Sequence, residues 1–375
     1  MKPSYPPLRE ADGIVVGIDV GGTWSRFGAA RVDALIQARC RRVRNADLES
    51  LEAGIVTYLA DEGVRPAHIV IGVTGERLDD GRVAQTNVPR SWPVFNWRSL
   101  QDTLGIPVSV YNDLAVSAVG IQRLEKDGVH GRRLLAGTPA VAGSVLTVGV
   151  GTGLGDAFLD PAAGYIGQGE PGHQPFAPRD EVEDRLLALA RAESATTVVS
   201  FEDLASGSKG LPRLYRLFRS HLSLARDYAR SIASASADLE AQLRRLPASR
   251  PTDAGQGRSA ADITRTDVDT GSSECDPIGF LVAVKSGDIV GTYIGARAVA
   301  VGATGGVKLV GGVLTDGLIR TWQAHSAFER RIREMGVHAR MTGQLPVDLV
   351  THRYPGVIGA LELAARHVHP SSVDT

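Results

Sequence analysis

The chain has 375 residues, 43% of them hydrophobic and 22% charged, which is enough apolar material for a large core and enough length for two domains. A net charge of −1 with no long basic stripe gives no field to draw in nucleic acid or a membrane surface, so a small-molecule partner is expected. Cys40 and Cys275 are too few for a disulfide scaffold or a cysteine-built zinc site and fit a reducing cytoplasm.

Met1 to Gly13 is polar and proline-containing, without the apolar centre of a signal peptide, and the most apolar later stretch is broken by Arg297, several glycines and Lys308. Secretion and membrane insertion are therefore not expected. An apolar strand at Ile14 to Asp19 runs into Asp19-Val20-Gly21-Gly22-Thr23, and a second strand follows at Ser25 to Arg31. An acid, two glycines and a hydroxyl at a strand end have the parts to bring a metal-bound phosphate close to bare backbone. The same residues equally suit a plain β-hairpin in which Gly-Gly supplies positive φ.

Apolar spacing at Leu48, Leu51, Ile55 and Leu59 predicts a helix from about Asp47 to Asp61. Strands at His68 to Val73 and Pro107 to Tyr111 flank a hairpin-like stretch at Asp79-Asp80-Gly81, and a helix opens near Asp113. A second half begins with the run Val145 to Val150, the turn Gly151-Thr152-Gly153-Leu154-Gly155 and a strand at Ala157 to Leu159. Two halves that each open on strand, glycine turn and strand point to a duplicated nucleotide-binding architecture with a cleft between lobes. Helical patterns follow at Asp180 to Ala192, Leu211 to Leu246 and Ile278 to Val301. The segment Pro247 to Pro277, rich in Ser, Thr, Asp, Gly and Pro, reads as an exposed excursion. A strand at Val307 to Val310 with Gly311-Gly312, a helix at Leu318 to Met335, a strand at Val347 to Thr351 and a helix after Pro355 close the chain.

Singly, the polar candidates are weak. Asp113 in Asn112-Asp113 suits a helix cap. Glu170 and His173, three apart in Gly169-Glu170-Pro171-Gly172-His173, suit a metal or a polyhydroxyl ligand, and no third metal ligand lies nearby. Glu202 suits the first turn of a short helix.

As an ordered set, Asp19 to Thr23, Thr86-Asn87, Asn112-Asp113, Gly151 to Gly155, Gly169 to His173, Ser200-Phe201-Glu202 with Ser206-Gly207, and Thr304-Gly305-Gly306 with Gly311-Gly312 resemble the bacterial glucokinase family, from about residue 14 to about 365. The resemblance implies an α/β chain with the two-lobed, actin-like, ribonuclease H-like ATPase fold of hexokinases. A small domain would comprise residues 1–112 with about 355–375, and a large domain 113–354 would carry a helical insertion at about 211–277. It implies ATP-dependent phosphorylation of glucose at its 6-hydroxyl in the cytoplasm by a homodimer. A kinase for another hexose or amino sugar, and a non-catalytic sugar or nucleotide sensor, are the alternatives.

The resemblance also assigns roles. Asp113 would accept the proton of the attacking hydroxyl, and Thr86, Asn87, Asn112, Glu170, His173 and Glu202 would contact the sugar. Gly21, Gly22, Thr23, Gly151, Thr152, Gly153, Gly305 and Gly306 would hold the nucleotide, and Asp19 would hold Mg2+. Lobe closure on the sugar would keep water from being phosphorylated. Trp24 stands where the family usually has a small polar residue and Pro171 where it has glycine, departures expected to crowd the phosphate turn and stiffen the sugar loop. No Gly-x-x-x-x-Gly-Lys-Ser/Thr sequence is present, so the phosphate cradle is not a P-loop.

Overall fold

The computed structural model describes residues 9–10, 13–85, 88–194, 196–232, 237–247, 259–264 and 276–369. Thr86, Asn87 and most of the predicted excursion lie outside the described residues. The chain forms two compact units. One is drawn from residues up to Arg132, Ala157–Gly169 and the chain from Val350, and the other from Arg133–Asp156 and Glu170–Leu349.

The first unit is built on a five-stranded sheet in the order Val108–Asn112, His68–Val73, Ile14–Val20, Trp24–Arg31, Arg39–Arg44. The first three strands run parallel and the last two add antiparallel. Because side chains alternate along a strand, Val16, Ile18 and Val20 face one side with Ile55, Tyr58 and Leu59 of helix Leu51–Glu62. Val15 and Val70 face the other with Val116, Val119, Val357 and Leu361.

That second face is covered by helices Asp113–Lys126 and Pro355–Val368, which cross in backbone contact. A Cβ at Gly120 would fall 1.9 Å from the Pro355 carbonyl oxygen, and one at Gly359 1.7 Å from that of Val116, so only glycine fits either place. This packing corrects the expected domain boundary: Asp113–Lys126 belongs with the first unit because its apolar side chains share that core.

A six-stranded sheet runs Arg132–Leu135, Val347–Leu349, Gly306–Val310, Val145–Val150, Leu154–Asp160, Tyr165–Gly167. Val145–Val150, Gly306–Val310 and Val347–Leu349 are parallel. The helix Pro277–Val301 is long and apolar enough, by length and composition, to cross a membrane, yet its apolar window is wholly buried inside the protein. Gly287, Gly291 and Gly295, one turn apart, present a bare stripe: added Cβ atoms would lie 2.7 Å from Trp322, 2.6 Å from the Phe328 carbonyl and 2.8 Å from Met335. Two buried charges lie in this helix. Lys285 sits 2.9 Å from Asp288 and 3.3 Å from Glu183, with its ammonium 4.1 Å from the Tyr228 ring centre.

The single helix predicted from Leu318 to Met335 is two, Asp316–His325 and Phe328–Arg333. They break where the Ala327 N–H donates to Asp288 at 2.6 Å and the Phe328 N–H to the Ser326 hydroxyl, interactions that replace helix bonds.

Candidate active site

In the first unit, three parallel strands deliver their C-terminal ends to one edge. Val20, Val73 and Asn112 lie level in the register, so the ends carrying Asp19 and Asp113 are two strand spacings, about 10 Å, apart. Asn112 is the N-cap of the next helix: its Oδ1 accepts the N–H groups of Leu114 and Ala115 at 3.0 and 3.2 Å. The cap is thus Asn112, and Asp113 occupies the first helical position, its Oδ1 accepting the Leu114 N–H at 2.9 Å. The Asn112 N–H donates to Gln168 Oε1 at 3.1 Å.

The strands bearing Asp19 and Trp24 form a hairpin, closed by the Gly21 N–H donating to the Trp24 carbonyl. Neither Gly21 nor Gly22 has positive φ, so the hairpin does not use them for a left-handed turn. Asp19 Oδ2 accepts from Arg26 Nη1 at 2.9 Å. Burial raises the Asp19 pKa above the usual carboxylate value, and the Arg26 charge opposes that rise. Gly356 abuts Asp19, since a Cβ there would fall 2.6 Å from Asp19 Cγ.

Trp24 does not crowd the turn. Its ring lies under the guanidinium groups of Arg42 and Arg44, at 3.7 and 5.6 Å.

In the second unit the Gly151 turn closes on itself, the Gly151 N–H donating to the Gly153 carbonyl. The Gly151 carbonyl accepts the Gly207 N–H at 2.8 Å, and the Thr152 carbonyl accepts both the N–H and the hydroxyl of Ser208. The loop Glu170 to His173 is pressed against this region at Gly172, where a Cβ would fall 1.7 Å from the Leu154 carbonyl oxygen. Glu202 is 4% exposed, and its Oε2 accepts the Leu154 N–H at 3.1 Å and lies 4.0 Å from His173 Nε2. Lys209, absent from the expected set, stands 3.8 Å from Glu202 Oε1. Gly151, Thr152, His173 and Glu202 are therefore neighbours, with a buried carboxylate beside a half-exposed imidazole.

The Gly305-Gly306 assignment needs correction. In the parallel register Gly306 pairs with Val145, so this pair sits where its strand begins, about 16 Å along the sheet from Gly311. Its glycines are required by packing, Gly305 against the Gly143 carbonyl and Gly306 against Pro346. Gly311 instead lies beside the Gly151 turn, a Cβ there falling 2.0 Å from the Val150 carbonyl. Ligands of parallel sheets gather at the C-terminal strand ends, which is where Gly311-Gly312 lies.

Among the described residues no group of three or more His, Cys, Asp and Glu side chains could hold a metal. Mg2+ does not need one, because it binds through one or two carboxylates and keeps water and substrate phosphate as its other ligands. Asp19, a hard oxygen donor left under charge strain by burial, fits that demand.

Glycine turns at strand ends, a carboxylate at a helix start and a buried carboxylate beside an imidazole are groups that phosphoryl transfer to a polyhydroxyl substrate would use. The glucokinase family model matches residues 16–367. The glucokinase of Yersinia enterocolitica is 30% identical over 346 residues, 91% of this chain and 93% of its own. The crystal structure of a glucokinase from an Antarctic psychrotroph superposes with a TM-score of 0.68 at 24% identity, covering 94% of this chain and all but 1% of the other. A ROK family glucokinase from Streptomyces griseus, solved with glucose and AMPPNP, gives 0.57 at 18% identity over 94% of this chain and 100% of its own. The chain belongs to the glucokinase family, whose members are ATP-using kinases.

Proposed function

We propose that this enzyme transfers the terminal phosphoryl group of ATP to the 6-hydroxyl of glucose, with Asp113 accepting the hydroxyl proton. The observation that carries the reading is the shared edge of the first sheet: Val20, Val73 and Asn112 lie level at the C-terminal ends of parallel strands, with Asp19 one residue before that row and Asp113 one residue after it. A sugar hydroxyl is a poor nucleophile, and a carboxylate within hydrogen-bond reach contributes roughly 10²- to 10⁴-fold by taking its proton as the bond to phosphorus forms. Asp113 starts a helix, where the N-terminal dipole favours its ionised, proton-accepting form.

Asn112, Glu170, His173 and Glu202 hydrogen-bond the other sugar hydroxyls, and Thr86 and Asn87 complete the set. Glu202 is suited to this because a buried acceptor left without its hydroxyl partner is costly, so sugars lacking the matching group are rejected. The backbone of Gly21, Gly22 and Thr23, and of Gly151, Thr152 and Gly153, receives the phosphates. Asp19 would hold Mg2+, which would supply charge neutralisation for the phosphoryl donor. The glucose and AMPPNP complex of the Streptomyces griseus glucokinase supports the choice of both substrates.

A coupled assay of glucose-dependent ADP formation tests the proposal. Turnover with glucose is expected; ADP release only with another hexose would move the substrate, and none with any hexose would leave a sensor.

A further inference from the structure

Asn45 lies far from the glycine turn in sequence and spends its whole side chain on it. Its Nδ2 donates to the carbonyl oxygens of Gly21 at 2.8 Å and Gly22 at 3.1 Å, and its Oδ1 accepts the Ser25 hydroxyl at 2.9 Å. Its own N–H donates to the Thr23 carbonyl. The side chain is 1% exposed, so no water competes for these bonds. The amide orientation is fixed by the network, since the reverse would set Oδ1 against two carbonyl oxygens.

A trans peptide is planar, with its N–H pointing opposite to its C=O. There are no cis peptides among the described residues. Pulling the Gly21 and Gly22 carbonyls toward Asn45 therefore turns the N–H groups of the same two peptides, those of Gly22 and Thr23, to the opposite side. Two successive N–H groups aimed the same way are the elements of an anion nest.

We propose that Asn45 is a positioning residue for the phosphoryl donor: it holds the Gly21 to Thr23 peptides with their N–H groups set to receive phosphate. It touches neither substrate, and it rests on the reading of this turn as a phosphate site. Without it the glycine-rich segment has to find that orientation upon binding, and the ordering cost falls on nucleotide affinity.

The test uses the full chain with Asn45→Ala and Asn45→Asp, the latter of the same outline but lacking the amide donors. Steady-state kinetics should show the KM for ATP raised about tenfold in both, with the KM for glucose within about twofold of the parent, the loss expected for a pair of hydrogen bonds that preorganise a site. The Tm gain on adding magnesium AMPPNP should shrink in both variants while the gain on adding glucose persists. That retained gain shows the fold is intact even if the variant melts earlier. An unchanged ATP KM in Asn45→Ala, or ATP and glucose KM rising together, would overturn the role of Asn45. Gly22→Ala separates this from the parent reading. If Gly22→Ala weakens ATP and Asn45→Ala does not, only the Asn45 inference fails; if Gly22→Ala leaves ATP binding intact, the turn is not the phosphate site and both fall.

Discussion

Asp19 and Arg26 are cross-strand partners in the first hairpin, and their side chains meet at 2.9 Å. The pairing only partly offsets burial, because the Asp19 pKa still stands above its usual value with desolvation as the leading cause. A carboxyl whose pKa is raised on folding binds its proton more tightly in the folded state. Its contribution is thus present at low pH and is lost as the pH rises from the ordinary carboxylate value through the folded one. Asp19→Asn should therefore keep or raise the Tm at pH 8, with the gap to the parent narrowing as the pH falls toward the ordinary carboxylate range, while kcat falls by at least about 10²-fold. Calorimetry across pH with parallel assays checks this; a Tm lowered at pH 8 would show that the ionised carboxylate stabilises the fold.

Asp113→Asn preserves an oxygen for the Leu114 N–H, so the start of its helix should survive. Turnover should fall by roughly 10²- to 10⁴-fold with the glucose dissociation constant changed by less than about threefold. Equilibrium titration with glucose beside single-turnover kinetics separates the two effects, and near-parental turnover would remove Asp113 from the proton transfer.

Gly172→Ala drives a methyl group into the Leu154 carbonyl, a backbone atom unable to swing aside. Since the Leu154 N–H is the partner of Glu202, any relaxation moves that carboxylate. Destabilisation by about 1–3 kcal/mol and a glucose KM raised about tenfold are expected. Denaturant melts and initial rates measure both, and a normal glucose KM would detach this loop from sugar binding.

His68 stacks on His367 with ring centres 4.4 Å apart, and burial together with the neighbouring imidazole lowers its pKa to about 4. A histidine depressed on folding contributes stability that is full above its unfolded value of 6.5 and drains away as the pH falls toward 4. His68→Gln should flatten the loss of Tm across that interval. An equally steep acid limb in the variant would assign the loss to other groups.

The strands and most helices were legible because apolar period and glycine punctuation act locally. Ile14 to Val20 and Val145 to Val150 show apolar runs that end at glycine turns, and both are strands. What escaped the sequence depends on tertiary register. Gly305-Gly306 and Gly311-Gly312 look alike as dipeptides, and only the pairing of Gly306 with Val145 shows which lies beside the Gly151 turn. Asn45 carries no local signal, because its partners lie twenty or more residues upstream. The first boundary was misplaced because Asp113–Lys126 gives no sign of its partner until Gly120 and Gly359 are seen to nest. Lys209 was missed because a lone lysine after Ser206-Gly207 has no motif.

Lys285 and Asp288 give the long helix Pro277–Val301 a destination. A segment so rich in apolar residues is the kind a bilayer would accept, but hydrocarbon offers this ion pair no further polar partner, and a charge at the centre of a bilayer costs about 3 kcal/mol even by the most lenient scales. The protein interior supplies Glu183 and Tyr228 as companions. The same pair that makes the core harder to assemble makes lipid the poorer solvent, so the helix carries in its middle the chemical reason it folds inward.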